Sequence, residues 1–284
     1  MEKIIACVVT YNRLELLKKV VSGLRNQTFK IDEIVIINNN STDGTEEWLS
    51  KQQDLTTIKQ ENLGSSGGQY TAAKYAMEQG ADYIWLMDDD VVADENCLEV
   101  IMSHIENFDV ICPLRHNLDG IYYNDVTKIN LSNPFKSIWK SIINTDDLKS
   151  ELVPVEAFTF EGAFIKRQVI ETIGLPEKGF FIYGDDTDYS VRVYKNGFKA
   201  AVARDAKFSR MIMPVGDKDS FNWKTYYMLR NLIAIDTMHC PCKVRYIRPF
   251  GYYLSFLKTA KNWKQHKTLI KAFFDGLKYK SKNP

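Results

Sequence analysis

The chain has 284 residues, 45% of them hydrophobic and 26% charged, with a formal net charge of +1. That length is enough to bury a full α/β core with room for a small helical appendage. No apolar run of about eighteen residues is present to span a bilayer, and Met1-Glu2-Lys3 leads into a strand pattern rather than a signal peptide, which points to a cytoplasmic chain.

Residues 4–9 form a continuous apolar run of strand length. Leu14, Leu17, Val20, Val21 and Leu24 then recur at helical spacing. Residues 34–37 make a second strand, and an Asn-Asn-Asn-Ser-Thr-Asp-Gly turn leads to a helix through Trp48 and Leu49. Ile58 lies in a short third strand. Gly64-Ser65-Ser66-Gly67-Gly68 opens a helix through Ala72, Ala73, Ala76 and Met77. Another apolar strand spans residues 83–87, followed by a helix over 97–105. The alternation predicts an α/β fold with a doubly wound, mostly parallel sheet and helices on both faces, in which ligands gather at the carboxyl ends of the strands. Four loops fall on that rim: residues 10–13, 38–43, 62–68 and 88–90.

Asp88, Asp89 and Asp90 close the apolar run Tyr83-Ile84-Trp85-Leu86-Met87. Stacked acids at a sheet edge leave uncompensated negative charge, so one must take up a proton or a cation must share the site. Mg²⁺ or Mn²⁺, held by one or two carboxylates and completed by substrate phosphates, fits best. The competing reading is a loop of solvated acids capping the next helix. Among the other rim loops, Thr10, Tyr11, Asn12 and Arg13 offer amides, an aromatic face and a guanidinium at a helix start, suited to a base or phosphate. Asn38, Asn39 and Asn40 suit a ribose or pyrimidine edge, although the same residues also make an ordinary turn and cap. Gly67 and Gly68 would admit a ligand close to the backbone. Neither a P-loop nor a Gly-x-Gly-x-x-Gly fingerprint is present.

In the second half, Phe180-Phe181-Ile182-Tyr183-Gly184 delivers Asp185 and Asp186 to a helix start. A carboxylate beside aromatics and another anion has a raised pKa, which suits proton abstraction from a hydroxyl. Asp186 is preferred for that role. Asp188 and Arg192 read as an i,i+4 structural pair. Beyond residue 242 the chain carries eleven Lys and Arg against Asp275 alone, interleaved with nine aromatics. This tail reads equally as an amphipathic segment on an anionic bilayer or as a helical cap with a solvated lysine face. As a membrane segment, it would be removable without loss of donor handling. Nothing else supports nucleic acid. The five cysteines are scattered, and Cys240-Pro-Cys242 has no partner pair, so they read as reduced thiols.

In order, Val8-Val9-Thr10-Tyr11-Asn12-Arg13, Ile36-Ile37-Asn38-Asn39-Asn40-Ser41-Thr42-Asp43-Gly44-Thr45, Asn62-Leu63-Gly64-x-x-Gly67-Gly68, Trp85-Leu86-Met87-Asp88-Asp89-Asp90 and Asp185-Asp186-Thr187-Asp188 resemble family 2 inverting glycosyltransferases of the GT-A fold. The third acid, Asp217-Lys218-Asp219 and Trp223-x-x-Tyr226-Tyr227-x-x-Arg230-Asn231 are most similar to the galactofuranosyltransferase branch, and rhamnosyltransferases share most of the pattern. The resemblance implies a catalytic domain over residues 1–240 and a helical C-terminal extension over 241–284. It implies that Asp88 and Asp90 hold Mn²⁺ or Mg²⁺, and that Asp89 approaches the donor ribose or sugar. Thr10, Tyr11, Asn12, Arg13, Asn38 and Asn40 would line the nucleoside pocket, with Asn62 and Gly67 along the donor wall. Asp186 would be the general base and Asp185 its neighbour. The implied donor is UDP-galactofuranose, or dTDP-rhamnose as runner-up. The implied acceptor is a lipid-linked glycan of surface polysaccharide synthesis, reached from the inner face of the cell membrane.

Two positions depart from the pattern. Asn38 stands where many relatives have Asp. The segment Phe208-Ser209-Arg210-Met211-Ile212-Met213-Pro214 lacks a metal-ligating His, so either Arg210 partly neutralises the diphosphate or a water replaces the ligand. Two other classes stay in view: a sugar-1-phosphate nucleotidyltransferase, and a degenerate, non-catalytic glycan-binding protein.

Overall fold

The strand β1 (Ile4–Thr10) is buried at all seven positions because helices cover both of its faces. Ile5, Cys7 and Val9 belong to one apolar cluster and Ile4, Ala6 and Val8 to another, as the two-residue period of a strand requires. Within a computed structural model describing residues 2–212 and 221–283, the next elements are α1 (Leu14–Arg25), β2 (Glu33–Asn38), α2 (Thr45–Leu49), β3 (Leu55–Lys59), α3 (Gly64–Glu78) and β4 (Tyr83–Asp88). Then come β5 (Val91–Ala93), α4 (Cys97–His104), β6 (Val110–Asn117), β7 (Gly120–Ile121), β8 (Val126–Ile129), β9 (Trp139–Ile142), β10 (Leu152–Val155) and β11 (Ala163–Lys166). The chain continues through α5 (Arg167–Ile173), α6 (Asp185–Lys195), β12 (Ala200–Arg210), α7 (Thr225–His239), α8 (Cys242–Leu257) and α9 (Trp263–Leu277).

The main sheet runs β10-β12-β6-β11-β4-β1-β2-β3. Its first-half strands β4, β1, β2 and β3 are parallel, as the strand–helix alternation predicts. Antiparallel β11 separates this block from the parallel pair β6 and β12. Side chains of α1 and α4 fill one face of the sheet and those of α3, α5 and α6 the other. Register aligns Thr10 with Asn38 and Val9 with Asp88, so the ends of β1, β2 and β4 form one rim.

The helices after residue 240 share a core with the helix before it. Leu229 and Ile233 of α7 cluster with Leu269, Ala272 and Phe273 of α9, and Tyr252, Tyr253 and Phe256 of α8 pack around them. Asp236 of α7 and Arg248 of α8 form a buried ion pair, and Arg248 Nη1 also donates to the carbonyl of Asn130 at 2.6 Å. The inner face of the tail is therefore a packed cap on the catalytic body. All five cysteines are free thiols, and only Cys242 is exposed. The Asp217-Lys218-Asp219 segment lies outside the described residues.

Candidate active site

The rim loops are joined to one another by the residues expected to meet a donor. Asn12 and Asn40 both adopt left-handed backbone, φ 53° and 61°, a region that Asn tolerates better than most residues. Asn12 donates its N–H to Ser41 Oγ (3.0 Å) and accepts from the Thr42 N–H (2.6 Å). Asn38 Oδ1 accepts from the Ser41 N–H at 2.8 Å, whereas the buried Asn38 Nδ2 has no partner among the described residues. Tyr11 and Asn40 are exposed on the same rim.

Several expected donor contacts are occupied by the protein itself. The Asp89 carboxylate accepts from Thr10 Oγ1 (2.7 Å), the Tyr11 N–H (3.3 Å) and Arg13 Nη1 (2.9 Å), so it ties the β1 loop to the β4 end instead of standing free for ribose. Arg13, expected in the nucleoside pocket, also reaches Asp90 at 3.0 Å. The acids are thus not without counter-charge. Asn62 Oδ1 accepts from the Gly64 N–H at 3.0 Å. The space that a side chain at Gly67 or Gly68 would need is filled by Leu63 and Val9, so these glycines let α3 lie against its neighbours.

Asp88 accepts from Gln69 Nε2 at 3.1 Å. Burial, followed by the charges of Asp90, Glu161, Asp89 and Asp185, holds its carboxyl well above the usual range. Asp90 is also pushed up by burial, while Arg13 and Arg210 pull it back. Glu161 was not anticipated. It sits just ahead of β11 and is bound by Arg115 Nη1 (2.7 Å) and Arg210 Nη2 (3.4 Å). Arg115, fully buried in β6, also pairs with Asp125 at 2.7 Å. The available signal was a charged residue continuing the apolar run of residues 110–114, since a buried guanidinium requires a carboxylate partner. Arg210 pairs in register with Val91, one residue beyond Asp90, and its guanidinium lies 4.0 Å from the Tyr122 ring centre. Its Nε and Nη1 are buried and have no partner among the described residues.

The second pair of acids enters from α6. Asp185 is raised to about 8, by burial and then by Asp186; Asp186 is raised to about 6, by burial opposed by hydrogen bonds from Thr187. Thr187 donates its N–H to Asp186 Oδ1 at 2.6 Å. Because the charge of Asp185 bears on Asp88, and that of Glu161 on Asp186, the β4 and α6 acids share one site. Asp188 is the expected structural member, accepting from Arg192 Nε at 2.9 Å and meeting His239 Nε2 at 2.6 Å.

The loop that carries these acids is strained and heavily tied. Phe181 and Tyr183 have φ 67° and 64°, which costs on the order of 1–3 kcal/mol each unless the surroundings impose it. Asn231 Nδ2 donates to the carbonyls of Phe180 (3.1 Å), Ile182 (2.9 Å) and Tyr183 (2.6 Å). Arg230 Nη2 donates to those of Gly179 (3.0 Å) and Phe180 (2.8 Å). Buried Glu177 accepts from Gly179 N–H, Tyr279 Oη, Ser281 Oγ and the Lys282 N–H. The Trp223, Tyr226, Tyr227, Arg230 and Asn231 motif therefore surrounds the base loop, with Phe181 stacked on Tyr227 at 5.1 Å.

No three His, Cys, Asp or Glu side chains among the described residues converge as a metal site of their own. Asp88 and Asp90 nevertheless fit a hard divalent cation. They offer oxygen donors in a buried setting whose mutual repulsion a cation would relieve, and phosphate and water would complete the coordination.

The glycosyl transferase family 2 model matches residues 5–174, from β1 through the Asp triplet to Glu161 and α5. The chain belongs to that family. It is a glycosyltransferase, which removes the nucleotidyltransferase reading. This family 2 chain is 27% identical to galactofuranosyltransferase GlfT1 of Mycolicibacterium smegmatis over 217 residues, covering 73% of this chain and 70% of that protein. It is 22% identical to the dTDP-rhamnosyl transferase RfbF of Shigella flexneri, over 76% of this chain and 70% of the other. Among solved structures, GalNAc-T7 crystallised with UDP, GalNAc and Mn²⁺ superposes with a TM-score of 0.69 at 14% identity, covering 96% of this chain and 54% of that one. That likeness establishes the GT-A type of fold.

Proposed function

We propose that this family 2 chain is an inverting, metal-dependent transferase that moves galactofuranose from UDP-galactofuranose to a hydroxyl of a lipid-linked or oligosaccharide acceptor in surface glycan synthesis. The observation that carries the reading is the buried setting that joins the two acid groups: Asp185 bears on Asp88, and Glu161 bears on Asp88, Asp90 and Asp186, whose carboxyl burial raises to about 6. Asp88 and Asp90 would hold Mn²⁺ or Mg²⁺, which when bound would supply positive charge against the departing diphosphate. Tyr11, Asn38 and Asn40 receive the nucleoside end. Asp186 takes the proton from the acceptor hydroxyl as its oxygen attacks the anomeric carbon. The sugar–phosphate bond breaks on the opposite side, so the configuration inverts and no covalent enzyme intermediate forms. Arg210, whose Nε and Nη1 have no partner among the described residues, partly neutralises the diphosphate in place of the missing metal-ligating histidine.

The galactofuranose donor is supported by the likeness to GlfT1, and dTDP-rhamnose by that to RfbF. Donor competition with the purified protein separates the two, and turnover of the rhamnose donor alone overturns the preferred sugar. Full turnover in excess EDTA overturns the metal. Hydrolysis of no nucleotide sugar, with intact folding, overturns the reading of the site.

A further inference from the structure

No helix among the described residues is long and apolar enough to cross a membrane. The outer surface of α8 and α9 nevertheless carries a concentrated set of exposed apolar side chains. On α8, Tyr246, Phe250 and Leu254 recur every four residues along one face, exposed by 62%, 57% and 61%. On α9, Trp263, Ile270 and Phe274, seven and then four residues apart, lie along one face, exposed by 67%, 37% and 51%. Phe273 joins the two rows, its ring centre 5.2 Å from Phe250 and 5.5 Å from Phe274. All six side chains of the rows are exposed, whereas the opposite faces of the two helices bury Val244, Arg248, Leu269 and Ala272.

Lysines frame this apolar surface. Lys243 and Lys258 lie near the two ends of the α8 row, and Lys264, Lys267 and Lys271 alternate with the α9 row, all exposed. The tail's one acid, Asp275, is already taken by Lys271 at 2.7 Å and by Tyr226. We propose that the α8–α9 face lies in the headgroup layer of a bilayer rich in anionic phospholipid, with the apolar row inserted and the lysines on the phosphates. Two in-plane amphipathic helices with basic flanks have the form such docking needs. The charge argues against a second copy as the occupant, because two faces each bearing a net +10 tail repel. The apolar row of α8, with no lysine within it, argues against nucleic acid, whose backbone would leave those side chains in water.

The inference rests on the proposed function only in that a lipid-linked acceptor would lie at the same surface, and docking is measured without turnover. The test is co-sedimentation of the full chain with phosphatidylcholine vesicles, with and without phosphatidylglycerol, at low and high salt. Calorimetric UDP binding serves as the control for folding. The wild type is expected on the anionic vesicles at low salt and released as salt rises. Lys264→Glu with Lys267→Glu, and separately Phe250→Ser with Phe274→Ser, are each expected to weaken sedimentation by roughly tenfold or more with UDP binding kept. Three results overturn the proposal: no sedimentation of the wild type at low salt, equal binding to neutral vesicles, or unchanged binding by the serine variant. Preferential binding of RNA, or burial of this face in a stable dimer, does so as well. Loss of donor hydrolysis in a chain that still sediments would overturn the site reading and leave the docking intact.

Discussion

Lys282 donates its backbone N–H to both oxygens of the Glu177 carboxylate, at 3.0 and 3.2 Å, and so fastens the end of the tail to the loop that presents Asp185 and Asp186. Asn283 adds bonds from Nδ2 to the carbonyls of Leu175 (2.8 Å) and Pro176 (2.9 Å). Glu177→Ala removes the shared acceptor of several part-buried donors, each bond worth about 0.5–1.5 kcal/mol. The expected result is a fall of roughly tenfold or more in donor hydrolysis and transfer, with UDP affinity little changed. Removal of the chain from Tyr279 onward should act in the same direction, contrary to the expectation that the tail is separable from donor handling. A truncated protein with full hydrolysis would show that the clamp is dispensable.

Asp186→Asn keeps the shape of the side chain and removes its basicity. Transfer should fall by roughly 10²–10⁴-fold while donor binding persists. In the wild type the rate should drop as the pH is lowered through about 6, because the base must be ionised and burial has raised its carboxyl to that value. Loss centred on Asp185→Asn, with Asp186→Asn near wild type, would exchange the two roles.

Asp185 has the opposite relation to stability. Its folded carboxyl is raised to about 8 from an ordinary 3.8, so the folded state favours the protonated form. The stabilisation is complete below pH ~4 and is lost as the pH rises through about 8. Asp185→Asn stays neutral throughout, so in EDTA at pH 9 its Tm should exceed that of the wild type by at least ~2 °C, and the gap should close toward pH 4. A gap that does not change with pH would mean that the carboxyl titrates normally.

Arg210 has two donors without a partner among the described residues and its charge bears on Asp90, so its loss should be felt at the diphosphate. Arg210→Ala is expected to weaken UDP binding by roughly tenfold or more, at about 1.5–3 kcal/mol for charge-assisted bonds, and uridine binding hardly at all. Arg210→Lys keeps the charge without the fork and should recover only part. Equal loss for UDP and uridine would point to a structural role on Tyr122.

What the sequence revealed followed from local periodicity. Apolar runs ending in loops located Thr10, Asn38 and Asp88 on one rim because strand ends and ligand loops coincide in this architecture. The Asp188–Arg192 bond was legible from its four-residue spacing. Long-range partners were not. Nothing near Glu161 announces Arg115, 46 residues away, and nothing near Asp89 announces that Thr10 and Arg13 occupy it. Gly67 and Gly68 correctly signalled close approach, but a glycine does not say what approaches. The tail's composition was compatible with both a cap and a membrane surface because its helices have two different faces.

The order in which ribosomes make this chain gives the Glu177 clamp a further meaning. When Asp186 emerges, the residues that will grip its loop from Tyr279 to Asn283 are still about a hundred codons away. At ~5–20 residues per second, several seconds separate the two. In that interval Glu177 lacks every partner that the tail supplies, and the ties on the Phe180–Tyr183 loop are those of Arg230 and Asn231 from α7. The loop is therefore closed in two stages, first by α7 and last by the final residues of the tail, so its full set of ties is complete only once translation has reached Asn283.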